Sequence, residues 1–128
     1  MQDRRLFLAM LAAAALASSG ARAFTVRPYD KSAAQAAISA GKPVIVHVYA
    51  PWCLQCHMQE SILDGLKNDP AYKGLTFYRV DYDGQKDVVK SLDCPRSTLI
   101  AYRGGKEVAR MSWGVSEASV VDVLKAAL

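Results

Sequence analysis

Val44-Ile45-Val46-His47-Val48-Tyr49-Ala50-Pro51-Trp52-Cys53-Leu54-Gln55-Cys56-His57 sets the organisation of this 128-residue chain. Its first six residues form a β-branched-rich run that predicts a buried strand. Ala50-Pro51 stops that strand, and helical character begins at the cysteines. Two thiols therefore fall at a strand-to-helix turn. Residues three apart on a helix share a face with Cβ atoms roughly 5–6 Å apart, so Cys53 and Cys56 can close a disulfide with little backbone movement. The free amides and the positive dipole end of the helix lie beside Cys53 and favour its thiolate. Cys53 is thus the candidate nucleophile and Cys56 the resolving thiol.

Upstream, Met-Gln-Asp-Arg-Arg-Leu-Phe-Leu leads into an alanine-rich apolar run, and Ala21-Arg22-Ala23 supplies a small-x-small cleavage site before Phe24. Residues 1–23 read as a secretory signal outside the fold, and residues 24–128 as one domain. Arg4-Arg5-Leu6-Phe7-Leu8 is similar to the twin-arginine pattern, with Asp3 replacing the usual Ser or Thr and Ala9 the usual Lys. Twin-arginine export, the general secretory route and uncleaved anchoring are the three options. The formal net charge is +4; the signal holds three arginines and one aspartate, which leaves the remaining 105 residues at +2. That charge, without a basic cluster, gives no indication of nucleic acid as a partner. Export places the chain in an oxidising space, the periplasm, where a two-residue cysteine spacing points to redox turnover more than to a structural staple.

Along the mature chain, Phe24 to Tyr29 reads as a short first strand, and Asp30 or Ser32 caps an alanine-rich helix ending at Gly41. After the cysteines, Met58, Ile62, Leu63 and Leu66 recur at helical spacing as core positions. Leu75 to Asp81 predicts a strand, Asp83 to Leu92 a short helix, and Thr98–Tyr102 and Val108–Met111 a hairpin about Gly104-Gly105. Ser116 caps a last helix with Val120, Val121, Leu124 and Leu128 on one face. The order β-α-β-α-β-α-β-β-α results.

At Trp52-Cys53-Leu54-Gln55-Cys56 and in this element order, the sequence resembles the thioredoxin family. The resemblance covers essentially the whole mature chain. It implies an α/β thioredoxin-like fold, a central mixed β-sheet flanked by helices, and thiol-disulfide exchange without a cofactor. Cys-x-x-Cys-His also spells the attachment motif of c-type haem. That reading requires a mainly helical domain and a distal ligand, whereas this motif follows a strand in a βα pattern.

Departures from the family pattern mark the remaining candidates. His47 falls where relatives bury an acid that moves the proton of the second thiol; an imidazole can do that work, or can be a neutral core histidine. His57 is read as a solvated surface histidine after the second cysteine, and Ser61 replaces a helix-kinking proline. Arg96-Ser97-Thr98 aligns with the family loop x-cisPro-Thr, which faces the dithiol and binds substrate. Ser97 replaces the proline, so a trans or strained turn is expected there, presenting backbone groups and a hydroxyl. Trp52 and Trp113 are read as packing around the site, Trp52 also shaping the substrate surface. Cys94 is a filler, a third redox thiol, or a metal ligand beside Cys53 and Cys56.

These features define a monomeric, exported reductase of protein disulfides, catalysed by Cys53, Cys56 and His47, with Trp52, Arg96, Ser97 and Thr98 binding substrate. The resemblance favours reduction over oxidation, because the helical insertion and dimerising segment of dedicated periplasmic oxidases are absent. A membrane-embedded electron donor is then required. The alternative is a copper- or zinc-binding or redox-sensing module of the same fold.

Overall fold

Strand β2 (Val44–Tyr49) is covered on both sides, and Val44 through Val48 are fully buried. A strand enclosed this way reads as a continuous apolar run. Since successive side chains point to opposite faces, Val44, Val46 and Val48 join one apolar cluster with Ala34, Ala37, Val80, Val88 and Ile100. Ile45 joins the other, with Leu63, Leu66, Phe77, Leu99, Val120 and Leu124. His47 points to this second side.

A computed structural model describes residues 22–128. Apart from Arg22 and Ala23, the predicted signal lies outside the described residues. The elements are β1 (Val26–Pro28), α1 (Lys31–Ser39), β2, α2 (Leu54–Leu66), a 3₁₀ turn (Pro70–Tyr72), β3 (Thr76–Asp81), α3 (Lys86–Leu92), β4 (Thr98–Arg103), β5 (Lys106–Ser112) and α4 (Glu117–Ala127). The sheet order is β1-β3-β2-β4-β5. β3 is parallel to both β1 and β2, while β4 is antiparallel to β2 and β5. This is the expected α/β architecture, a mixed sheet with α1 and α3 on one face and α2 and α4 on the other.

Local chemistry sets the ends of these elements. The Asp30 carboxylate accepts from the Ser32 N–H at 3.0 Å, and the Ser116 hydroxyl accepts from the Ser119 N–H at 3.1 Å, capping α1 and α4. Gly104 and Gly105 turn the hairpin with φ of 63° and 87°, the pair of positive values a two-residue turn needs.

Three expectations require correction. The first strand is shorter than Phe24–Tyr29: Phe24 precedes it and is buried, its ring stacked on Phe77 at 5.2 Å. Met58 is exposed, because the buried stripe of α2 runs through Cys56, Gln59, Leu63 and Leu66 and leaves Met58 turned about 100° away. Leu128 is exposed beyond the end of α4, and Val123 and Ala127 complete the buried face with Val120 and Leu124.

Leu99, fully buried on β4 against α2 and α4, should therefore lose about 3 kcal/mol of stability on Leu99→Ala. Met58→Ala should change it by under about 0.5 kcal/mol. Urea unfolding of both variants checks the inward and outward assignments together.

Candidate active site

Cys53 is the N-cap of α2, and its sulfur accepts from the Cys56 N–H at 3.2 Å. Cys53 and Cys56 are bonded to each other, with Cα atoms 5.2 Å apart. That separation is ordinary for a disulfide. Reduction leaves the Cys53 sulfur at the helix start with this amide donor, an arrangement that lowers a thiol pKa. Both cysteines are buried in this oxidised form, Cys53 included, although it opens the helix. Ala50, Tyr49 and Tyr82 pack around the pair.

The loop before β4 reaches the disulfide through the Val48 carbonyl. The Ser97 N–H donates to that oxygen at 2.8 Å, and the Cys56 Sγ lies 3.9 Å from it. All peptide bonds among the described residues are trans, and Ser97 has φ of 62°. The turn is thus trans and left-handed, a conformation costly for a non-glycine residue. Ser97 and Thr98 are fully buried, so their hydroxyls face inward and not towards a substrate. The Ser97 carbonyl accepts from the Trp113 N–H at 2.8 Å, and the Thr98 hydroxyl donates to the Pro95 carbonyl at 2.9 Å. Both main-chain groups of Ser97 are used, whereas the Arg96 N–H and C=O have no partner among the described residues, so backbone presentation falls to Arg96 rather than Ser97.

Gln59, which the sequence reading passed over, ties these parts together. Its amide nitrogen donates to the Ser97 carbonyl at 3.1 Å and to the Gly114 carbonyl at 2.9 Å. Carbonyls only accept, so the Gln59 Oε1 must face the His47 Nε2, 2.9 Å away, and that nitrogen must carry the proton. The His47 Nδ1 is then a bare lone pair, buried and without a partner. Burial holds the His47 pKa down to about 4; the Gln59 hydrogen bond opposes this and the Arg79 charge adds to it. The signal that could have found Gln59 is its spacing, three residues from Cys56 and four from Leu63 on the buried stripe of α2.

The remaining candidates lie around this centre. Trp52 and Trp113 are exposed at 58% and 41%, not packed as expected. The Arg96 guanidinium sits between them, 4.6 Å from the Trp52 ring and 4.9 Å from the Trp113 ring. Trp52 donates its indole N–H to Asp83 at 2.7 Å. His57 is exposed as expected, with the Tyr49 hydroxyl 3.1 Å from its Nδ1 and the Pro51 carbonyl 2.6 Å from its Nε2. Cys94 belongs to the cluster on the α1 and α3 face, and burial raises its pKa, which disfavours a reactive thiolate. Among the described residues no three His, Cys, Asp or Glu side chains converge as a metal set, so Cys53, Cys56 and Cys94 are not brought together.

A dithiol closed on itself at a helix start exchanges its disulfide with those of other molecules. Fold and site together define a thiol-disulfide oxidoreductase. The chain belongs to the thioredoxin family, whose model, described as Thioredoxin, matches residues 25–126. Among solved structures, it is similar to Trxlp from Edwardsiella tarda, with 39% identity, a TM-score of 0.73, and coverage of 78% of this chain and 98% of that one. It is 36% identical over 84 residues to Thioredoxin-2 of Saccharomyces cerevisiae, covering 65% of this chain and 75% of that protein. Against Thioredoxin of Mycobacterium tuberculosis it is 28% identical over 98 residues, 76% of this chain and 84% of that protein.

Two outcomes test this geometry. Ser97→Gly should be about 1 kcal/mol more stable than Ser97→Ala, because both remove the unpartnered buried hydroxyl but only glycine accepts φ of 62° freely. Thermal unfolding of the pair reads the difference. For His47, the folded pKa of about 4 lies below the reference 6.5, so only the unfolded chain takes up the proton between those values. The contribution is fully present above pH 6.5 and is lost as pH falls towards 4, by about 3 kcal/mol in all. Denaturant unfolding of wild type and His47→Leu should differ by that pH-dependent amount, since other titrations are common to both.

Proposed function

We propose that this protein is an exported, monomeric reductase of protein disulfides. The observation that carries the reading is the Cys56 amide on the Cys53 sulfur at the start of α2, which favours Cys53 as the attacking thiolate. In the reduced protein, Cys53 attacks one sulfur of a client disulfide. The new bond joins Cys53 to the client, the client S–S bond breaks, and the departing thiolate takes a proton from solvent. Cys56 then loses its proton, attacks the Cys53 sulfur and closes the internal disulfide. The second client thiolate leaves and is protonated. Two electrons have passed to the client.

His47 is the assigned acceptor for the Cys56 proton, since its bare Nδ1 lies in the buried layer beneath α2. A pKa of about 4 makes it a weak base near neutrality, so any transfer to it is uphill and the proton does not stay there. Trp52 and Arg96 form the client surface, with Ser97 and Thr98 holding the Arg96 loop in place. Likeness to thioredoxins over residues 25–126 supports the reducing direction. The signal-like pattern of residues 1–23 supports export to the periplasm. Electrons for the next cycle then come from a membrane-embedded dithiol donor, because an exported protein cannot meet a cytosolic reductase.

Cys56→Ala should accumulate mixed disulfides with client proteins, while Cys53→Ala should accumulate almost none. Non-reducing electrophoresis after alkylation in intact cells reads both variants, and equal trapping would overturn the order of attack. The same alkylation should find the wild-type pair mainly reduced and in the exported fraction. A mainly oxidised pair would reverse the direction of electron flow.

A further inference from the structure

The Arg96 guanidinium is a charge in the client surface that the exchange of sulfurs does not itself use. It is clamped between two indoles, each presenting a face that attracts a cation. Each of the three residues is linked to the disulfide, Trp52 directly and the other two through Ser97 and the Val48 carbonyl. Trp52 precedes Cys53 in the chain. Arg96 precedes Ser97, whose N–H shares the Val48 carbonyl with the Cys56 sulfur, and the Trp113 N–H donates to the Ser97 carbonyl. Trp113 takes φ of 71°, unusual for an aromatic residue, so its exposed ring is held in place by a strained backbone.

Charge is what this clamp leaves open. The ion pairs among the described residues are Lys67–Asp64, Arg79–Glu60 and Arg110–Glu107, and none includes Arg96. The carboxylate beside Trp52, Asp83, is engaged by the indole N–H. The Arg96 Nε is buried without a partner, and its main-chain N–H and C=O are free among the described residues. A guanidinium lying over two aromatic rings keeps in-plane donors, and those of its two terminal nitrogens match a planar carboxylate bidentately.

The geometry points to a client clamp: Trp52, Arg96 and Trp113 select disulfide-bonded protein segments that carry an Asp or Glu beside the reactive cysteine. This inference rests on the reductase reading above and deepens it. The client carboxylate lies in the guanidinium plane between the indoles, the free Arg96 main chain pairs with the client backbone, and the adjoining client sulfur is offered to Cys53. Arg96 and Trp113 act as specificity-determining residues, apart from the exchanging sulfurs.

The test uses the full chain with Cys56→Ala as background and two disulfide-cyclised peptides that differ only in Asp or Asn next to the cysteine. The rate of mixed-disulfide formation is measured for each peptide. With Arg96 present, the Asp peptide should be captured about tenfold faster, the scale of a charge-assisted hydrogen bond. Arg96→Gln should bring the ratio to about one, whatever it does to the two absolute rates, and a thermal unfolding transition like that of the parent reports that the variant is folded. Arg96→Lys and Trp113→Leu should give intermediate ratios, since each keeps charge or stacking alone. A ratio near one in the presence of Arg96, or a tenfold preference that survives Arg96→Gln, overturns the clamp and leaves exchange intact. Faster capture of glutathione disulfide than of the Asp peptide also overturns it, in favour of a small acidic thiol. Failure to capture either peptide overturns the exchange chemistry and the clamp together.

Discussion

The left-handed backbone of Ser97 is the constraint on which the site depends. A serine at φ of 62° is held there by three hydrogen bonds from three parts of the chain: to the Val48 carbonyl of β2, from the Gln59 amide of α2, and from the Trp113 amide after β5. Strain of that kind persists only when the surroundings over-determine it. Its effect is positional. The same bonds set the Arg96 side chain over the Trp52 ring and bring the loop to the oxygen that neighbours the Cys56 sulfur.

Under that loop, the polar groups form one chain from His47 through Gln59 to two carbonyls. Burying an amide and an imidazole in a layer of leucines and valines is costly unless each finds partners. Gln59 finds three, and so decides the tautomer of His47. The imidazole stays uncharged because a proton on it would place a cation in the apolar layer, with the Arg79 charge adding to the penalty. A carboxylate at this depth would be charged or strongly shifted near neutrality; the histidine instead stays neutral there.

The sheet, the helix order and the dithiol were legible because each has a local signature. Val44–Tyr49 is an unbroken apolar run, Gly104-Gly105 supplies the turn, and Cys53 and Cys56 fall at the spacing of one helical turn. Misreadings arose where tertiary context decides. Met58 and Gln59 are adjacent on α2, and only the phase of the stripe fixed by Cys56 and Leu63 puts the glutamine inside and the methionine outside. The partnership of Trp52, Arg96 and Trp113 joins positions 52, 96 and 113 across three loops, and nothing within any one segment announces it. Phe24 lies outside the expected strand, with its ring buried and stacked on Phe77, a tertiary contact that no local pattern announces.

The rims of the sheet carry one more consequence. β1 is three residues long and ends in Pro28, which has no N–H to offer, while β5 carries Lys106, Glu107 and Arg110 along its length. Short, proline-ended and charged edges resist the addition of a foreign strand. In the proposed reductase, an extended client would be material for cross-β templating. The free main chain of Arg96 would then offer it backbone partners while the margins of the sheet would not, so that repeated encounters need not seed co-aggregation.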